Sequence, residues 1–458
     1  RSQQTIHFLD SSKIDIHYIP HHISHASSFF CSPFEEAAVL VTDAFGEKHS
    51  VTLYEGRGNR LETIWSQEFP HSLGSFYSVL TAYLGFVPSS EEWKLMGASS
   101  YGDSEKYYEQ LRTTIQLNDD GGFELDLTHF NHYQFYRPLM FTPKLSQLLG
   151  IMPRKEGEPL TQNHYDLAAA AQRVFEDTYF HLLSHLHKKT GMNKVIISGG
   201  SALNCVANGR VLEQTPFEDI FVSPVPDDSG GALGAAYYLY NHILGAERDF
   251  ILTSNYLGPG FTNQEILDFL NNSGVPFTLL DDPGKTAAEM IADGKILGWF
   301  QGRLEYGDRA LGNRSILADP RDPDMKTKVN ATIKYREDFR PFAPSILLEK
   351  IDEYFENAVP TPFMEKALRF RPEKHKIIPA VTHVDGTGRL QTVSKEQNDL
   401  YWNLINEFRK ITGIPIVLNT SFNLKGEPIV CTPKDALRTF FTSGLDALFL
   451  GNCLVKKQ

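Results

Sequence analysis

Ala37-Ala-Val-Leu-Val-Thr-Asp43, Ser50-Val-Thr-Leu-Tyr-Glu-Gly56 and Leu61-Glu-Thr-Ile-Trp-Ser-Gln-Glu-Phe69 follow one another with only short turns between them, at Gly46 and at Gly56-Arg57-Gly58. Apolar and β-branched runs of this length, punctuated by glycine, predict the three strands of a β-meander. Downstream, the Ala-rich stretch from Asp166 to Lys189 is helical. Lys194-Val-Ile-Ile-Ser198 then reads as a strand that stops at Gly199-Gly200, where another helix starts. FEDIFVSP (217–224) followed by SGGALGAAYYLYNHIL (229–244) repeats the scheme of strand, glycine loop and helix. Upstream, Ile14 to Ile19 predicts a strand that feeds a helix beginning near His21.

The order βββ-α-β-α-β-α is one half of the duplicated actin-like/Hsp70-like α/β architecture, in which strand-end loops and helix N-termini face a cleft. The other half is expected before Arg1, with only its last strand and helix left ahead of Ala37. Ser75 to Gly85 predicts a further helix, EEWKLMGASSYGD (91–103) a Gly- and Ser-punctuated loop, and 117–160 an irregular covering segment. The pattern breaks between Gly245 and Pro259. Strands such as KILGWF and PIVLNTSF then mix with helices such as Gln397 to Thr412. Two domains follow, 1–250 and 257–458, the second again α/β.

Composition agrees with two cores: 458 residues, 41% of them hydrophobic, exceed what one core holds. The formal net charge of -12 argues against broad capture of nucleic acid, which needs a basic surface. Cys31, Cys205, Cys431 and Cys453 form no C-x-x-C pair, so a reducing cytoplasm is the expected compartment. No run approaches a membrane span, and no membrane partner is expected.

The segment HHISH sets His21 and His25 four apart, on one face of a helix, where two imidazoles can grip one ion. Helix-capping or core histidines are the competing interpretation of that spacing, and His22 points elsewhere. Asp43 ends a strand and Asp228 lies in PDDSGG at a strand-to-helix turn; one of Asp227 and Asp228 is expected to cap the helix. Two imidazoles and two carboxylates suit a divalent iron, zinc or manganese ion. Gly199, Gly200, Asn204 and Gly230 lie in loops that let a backbone approach a nucleotide closely, although a tight β-to-α turn needs the same glycines.

The second domain carries QGRLEYGDRALGNRSILADPR and IKYREDFRPFAPS. Between Arg303 and Arg340, nine basic residues stand against seven acidic ones, which a solvated surface would also show. Yet Arg309 and Arg314 lie among glycines and apolar residues, and Arg340 precedes Pro-Phe-Ala-Pro, where an idle charge is costly. Guanidinium forks in such settings suit phosphate oxygens. Arg389, Thr420, Ser421 and Asn423 add polar groups at strand ends, residues that elsewhere form turns.

Taken in order, HHISHA, VTDAFGE, HSLGSFYSVLTAYLGF, EEWKLMGASSYG, SGGSALNCVANGR, GDRALGNRSILADPR, KYREDFRPFAP, HVDGTGRLQTV and NTSFN resemble the O-carbamoyltransferase family that modifies antibiotics and nodulation factors. Departures are small: Ala44 where glycine is usual, Ser99-Ser100 where Ala-Pro is usual, and Ser201 where a small apolar residue is usual. The resemblance implies a TsaD-like first domain and a YrdC-like second domain. It implies carbamoyl-adenylate formation from carbamoyl phosphate and ATP, with Mg2+, followed by transfer to a small-molecule hydroxyl. It assigns Arg309, Lys334, Arg340 and Ser421 to activation, Arg389 and Asn423 to its support, and His21, His25, Asp43 and Asp228 to a metal, usually Fe2+. A histidine before Arg1 would contribute to transfer in that family. The competing functions are a tRNA threonylcarbamoyl-type transferase, an actin-like sugar kinase and a non-catalytic nucleotide-binding module. A symmetric homodimer is the base expectation.

Overall fold

A computed structural model of the chain describes residues 3–7, 13–337 and 339–457; Asp338 of the KYREDFRPFAP motif lies outside them. The chain divides into two compact units, Arg1–Leu252 and Thr253–Gln458. Each is a sheet covered by helices, so the protein is mixed α/β with two sheet-based bodies.

The first unit is built on β1 (Glu36–Gly46), β2 (His49–Arg57), β3 (Arg60–Glu68), β4 (Lys194–Ser198) and β5 (Asp219–Val222), in the sheet order β3-β2-β1-β4-β5. β1, β2 and β3 are the antiparallel meander, while β1, β4 and β5 run parallel. Ala37 to Val41 and Val195 to Ile197 are buried throughout, as strands covered on both faces must be, and this explains their unbroken apolar runs. The long helix Gln162–Thr190 starts on a Thr161 capping box and stops at left-handed Gly191. Because β1, β4 and β5 are parallel, the loops after Thr42, Ser198 and Val222 leave the sheet at one end.

Three sequence expectations shift. Lys13–His17 is a strand, but it pairs with Gln3–His7 in a separate hairpin rather than with the five-stranded sheet. Residues 91–103 contain a helix, Glu92–Ser99; Leu95, Met96 and Ala98 are buried where it packs on the long helix, and that packing outweighs its Gly and Ser content. The irregular 117–160 stretch holds a short hairpin, Ile115–Leu117 with Phe123–Leu125, and one helix, Pro143–Leu149.

The second unit contains β6 (Thr278–Leu279), β7 (Leu297–Phe300), β8 (Arg314–Ala318), β9 (Ala343–Leu347), β10 (Gln391–Val393), β11 (Ile416–Ser421), β12 (Ala447–Leu450) and β13 (Cys453–Lys456). Their order is β6-β13-β12-β7-β8-β11-β9-β10. β8 and β9 both run antiparallel to β11, and β10 runs parallel to β9. Register pairs Ser315 with Ser421, Ala343 with Asn419 and Ser345 with Gln391. The end of β11 therefore meets the beginnings of β8, β9 and β10 at one end of the sheet. Among the described residues no helix is long and apolar enough to cross a membrane.

Arg314 is held by the fold around it. Its side chain is 0% exposed, and the guanidinium donates to the carbonyls of Gln301 (2.5 Å), Asn313 (3.0 Å), Gly302 (3.3 Å) and Pro259 (3.4 Å) while covering the Phe300 ring. Backbone oxygens thus accept from the guanidinium for which the sequence suggests a phosphate. Arg314→Met is expected to lower unfolding free energy by about 3 kcal/mol through stranded carbonyls, read by urea denaturation; a loss below about 0.5 kcal/mol would return Arg314 to the ligand.

Candidate functional site

In the first unit His21 and His25 project from the short helix His21–Ala26 toward Asp43 at the end of β1. The Nε2 atoms of the two rings are 3.0 Å apart, and each lies 3.0–3.2 Å from Asp43 Oδ2 and 3.3 Å from Asp228 Oδ1. All four donor atoms fall within 4.8 Å of one another. Donors about 2.1 Å from one ion stand about 3.0–3.4 Å apart, so the set already has the spacing of a first coordination sphere. The residues fit a divalent metal. His25 is only 2% exposed and Asp228 is 78% exposed, which leaves one side of the group open to an incoming oxygen.

The surroundings are shaped to this purpose. A Cβ on Gly46 would collide with the His21 ring, one on Gly74 with the Asp43 backbone, and one on Gly200 would press on Asp43 Oδ1. Ala44 N donates to Asp43 Oδ1 (2.7 Å), fixing the carboxylate. Burial pushes the Asp43 carboxyl upward, but the His21 and His25 contacts outweigh it and hold the group well below the usual carboxylate range. The Asp43 contact raises His21. His22 turns away to Thr52 Oγ1 (2.7 Å), and burial pushes it down to about 3. Asp227 is the cap, accepting from Ser229 N (3.2 Å), which leaves Asp228 to the cluster.

The glycine loops border this centre. Gly199, at φ +89°, lies against Thr42 O, and Gly230 lies against Val225 O, each too close for a side chain. Asn204 caps the helix Cys205–Gln214, its Oδ1 accepting from Ala207 N (3.0 Å), and makes a reciprocal pair with Gln172. The fold takes up its hydrogen-bonding groups.

In the second unit Lys334 is buried, with Nζ donating among Ser421 O (2.5 Å), Asn423 Oδ1 (2.7 Å), Ser421 Oγ (3.1 Å) and Asn423 O (3.1 Å). Ser421 Oγ also donates to Asn423 Oδ1 at 2.7 Å. Burial, then the nearby Arg336 and Arg340, hold Lys334 well below the ordinary lysine range. Burial, then Arg340 and Arg389, push Arg336 down to about 9. Lys334, Arg340, Arg389, Ser421 and Asn423 are therefore brought together, and Arg336, which the sequence analysis did not single out, joins them. Thr420 lies on β11 beside Ser421, paired with Ile316.

Arg309 arrives by a different route. It sits half-buried in the loop between Glu305 and β8, and among the described residues no hydrogen bond or ion pair ties it to the lysine cluster. That loop, however, enters β8 at the sheet end where β11 delivers Ser421. Glu305 holds it: one buried carboxylate oxygen accepts from Leu311 N (2.7 Å), Asn313 N (2.8 Å) and Arg314 N (3.3 Å). Nothing in the sequence separates this glutamate from a surface charge, because its partners are backbone groups.

Calorimetric titration with Zn2+ is expected to show a single site whose affinity falls more than about 100-fold in His25→Ala and about tenfold in Asp228→Asn. The rings must be neutral to ligate, and Asp43 raises His21. Protons therefore compete as pH falls through the region above 6.5, weakening the metal and releasing protons on binding. Affinity independent of pH between 5.5 and 8 would contradict the assignment. Glu305→Ala should cost about 2–3 kcal/mol and open the loop to proteolysis near Arg309, whereas Glu305→Gln, which retains an acceptor, should lose less.

The chain matches the carbamoyltransferase N-terminus over residues 4–237 and the carbamoyltransferase C-terminus over residues 288–457. Nodulation protein NolO of Bradyrhizobium diazoefficiens is 41% identical over 445 residues, covering 96% of this chain and 79% of that protein. Nodulation protein NolNO of Sinorhizobium fredii is 41% identical over 459 residues, 98% of this chain and 65% of that protein. An uncharacterized Synechocystis protein is 41% identical over 466 residues, 95% of this chain and 75% of that protein. Across both units, the chain belongs to the carbamoyltransferase family of enzymes.

Proposed function

We propose that the protein is an ATP-dependent O-carbamoyltransferase of natural-product biosynthesis, with a YrdC-like second unit that makes carbamoyl-adenylate and a TsaD-like, actin-like first unit that transfers the carbamoyl group. The observation that carries the activation half is the convergence of Arg336, Arg340 and Arg389 on buried Lys334, with the three guanidinium groups partly exposed and Glu337 3.8 Å from Arg340. Four cations beside one glutamate leave a local excess of positive charge that favours a bound anion. Carbamoyl phosphate and the triphosphate of ATP are such anions.

Atom balance sets the chemistry. Water cleaves carbamoyl phosphate to carbamate and phosphate. A carbamate oxygen then attacks the α-phosphorus of ATP, and pyrophosphate leaves. Arg309, Lys334 and Arg340 offset the charge that builds on the phosphates. Arg389, Thr420, Ser421 and Asn423 orient the planar carbamoyl group, and Asn423 and Ser421 hold Lys334 as a donor. The resulting mixed anhydride carries AMP as its leaving group.

Transfer is assigned to the first unit. The acceptor hydroxyl attacks the carbamoyl carbon, AMP departs, and the hydroxyl proton passes to a base. Gly199, Gly200 and Gly230 give the AMP phosphate a close approach to backbone, supported by their position at the carboxyl ends of β4 and β5. His21, His25, Asp43 and Asp228 would hold Fe2+, or Zn2+ or Mn2+ with the same donor set, and such an ion polarises a carbonyl or binds a phosphate oxygen. The strand order β3-β2-β1-β4-β5 supports the actin-like assignment.

Pyrophosphate release by the purified chain with ATP, Mg2+ and carbamoyl phosphate, without acceptor, tests the activation half. Release is expected to require both substrates and to fall about 100-fold or more in Arg309→Ala and in Ser421→Ala. ATP binding by the folded chain without pyrophosphate release would overturn carbamoyl-adenylate formation and leave a nucleotide-binding module.

A further inference from the structure

The HVDGTGR stretch (383–389) supplies the proposed function with Arg389, and it also holds a histidine for which that proposal has no use. His383 N donates to Thr387 O (2.8 Å) and Gly386 N to His383 O (2.9 Å), closing the turn 383–387 that Gly386, at φ +79°, allows. From the turn, Thr387–Arg389 runs as a short strand paired with Ala367–Arg369. Side chains two apart on a strand share a face, so whatever meets the Thr387 side chain stands beside that of Arg389. The His383 ring meets it, with Nδ1 3.2 Å from Thr387 Oγ1.

A single hydroxyl proton decides the state of that ring. Thr387 Oγ1 donates to Asp385 Oδ1 (2.7 Å), and the same carboxylate oxygen accepts from Thr387 N (3.0 Å). A hydroxyl has only one proton to give, and a carboxylate is the stronger acceptor. Nδ1 therefore carries its own proton and donates to Thr387 Oγ1. Nε2 is buried, and no group among the described residues stands in hydrogen-bonding geometry to it. The charged groups facing the ring are Asp385 from the turn, Arg389 from the strand and Lys326 from the helix Met325–Val329. Burial pushes His383 down to about 4, and Arg389 and Lys326 add to that against the opposing pull of Asp385 and the Phe342 backbone.

We infer that His383 is a positioning residue for Arg389: an uncharged ring, tied through Nδ1 to Thr387, that walls the face on which the guanidinium stands and adds no charge to the cation cluster. A charged ring would push the guanidinium away and compete with it for an anion. A ring without its Nδ1 donor would release the Thr387 hydroxyl and loosen the turn from which Arg389 departs. The inference rests on the anion-binding role proposed for the Lys334 cluster, of which Arg389 is a member.

Proton–nitrogen correlation NMR of the full chain with isotope-labelled histidine rings reads the ring directly, the His383 signals being those missing from His383→Asn. At pH about 6, where an ordinary histidine is mostly charged, His383 is expected to be neutral with its proton on Nδ1. Calorimetric titration with inorganic tripolyphosphate reads the anion site without turnover. Affinity is expected to fall about tenfold in His383→Leu and in Thr387→Val, each of which removes one side of the Nδ1 bond. It is expected to stay within about twofold of wild type in His383→Asn, whose amide donates in place of Nδ1. A charged ring at that pH, a proton on Nε2 with Nδ1 bare, unchanged affinity in His383→Leu, or equal losses in the Leu and Asn variants would overturn the inference. Neither measurement uses ATP or carbamoyl phosphate. Absent pyrophosphate release alongside a neutral His383 and the expected ranking of variants would sink carbamoyl-adenylate formation alone, and intact release alongside a charged ring would sink only the role of His383.

Discussion

The Asp43 carboxylate is the constraint around which the first unit is arranged. It lies near the end of the central strand β1, which is flanked by the antiparallel β2 and the parallel β4, and a largely buried anion there has to be met by donors. Two imidazoles and the Ala44 amide meet it. The same demand explains residues that do no chemistry. Gly46, Gly74 and Gly200 lack a Cβ because each lies where a side chain would displace either Asp43 or the His21 ring. Ser72 donates to the Asp43 carbonyl (3.0 Å) and caps the next helix, so even that helix start is tied to the carboxylate's strand. With Asp43 held, Asp228 needs only to arrive from β5 by a capped turn, and its exposure costs nothing because a metal-bound oxygen must enter from some side.

The second unit reaches an opposite electrostatic result by a comparable route. Strand directions send the segment after β11 and the segments before β8, β9 and β10 to one end of the sheet. These are the segments rich in Arg and Lys. Lys334, Arg336 and Arg340 precede β9, Arg389 precedes β10, and Ser421 and Asn423 close β11. Oxygens from Ser421 and Asn423 make burial of Lys334 tolerable, and Glu337, 3.8 Å from Arg340, offsets part of the charge of the neighbouring guanidinium groups. Burial first, and then Arg340 and Arg389, push Arg336 down to about 9.

Much of this was legible in the sequence, and what was not has identifiable causes. The meander carries a strong local signal, apolar runs between glycine turns, whereas the histidines at helical spacing are a modest one that two carboxylates at strand ends strengthen. The helix at Glu92–Ser99 was missed because its formation depends on burying Leu95, Met96 and Ala98 against a helix about seventy residues downstream, which no local pattern reports. Arg314 and Asn204 looked like ligand contacts since their residue types and glycine-rich neighbourhoods were right. Their partners turned out to be backbone carbonyls and a distant Gln172. Glu305 and Arg336 were passed over for the converse reason: charged residues within a charge-balanced stretch look solvated until the fold buries them.

Both sites share a property that bears on how the enzyme works. Each collects groups that repel or desolvate one another, so each is held by the rest of the fold at a cost in stability. A ligand that binds only the folded chain returns that stability as RT ln(1 + [L]/Kd), about 2.7 kcal/mol at a hundredfold excess over Kd. The gain is selective. A cation relieves the carboxylate pair and would worsen the lysine and arginine pocket, while an anion does the reverse. On the proposed functions, charge favours a divalent metal at the carboxylates of the first unit, and the phosphates of carbamoyl phosphate and ATP at the cations of the second, before any finer recognition acts.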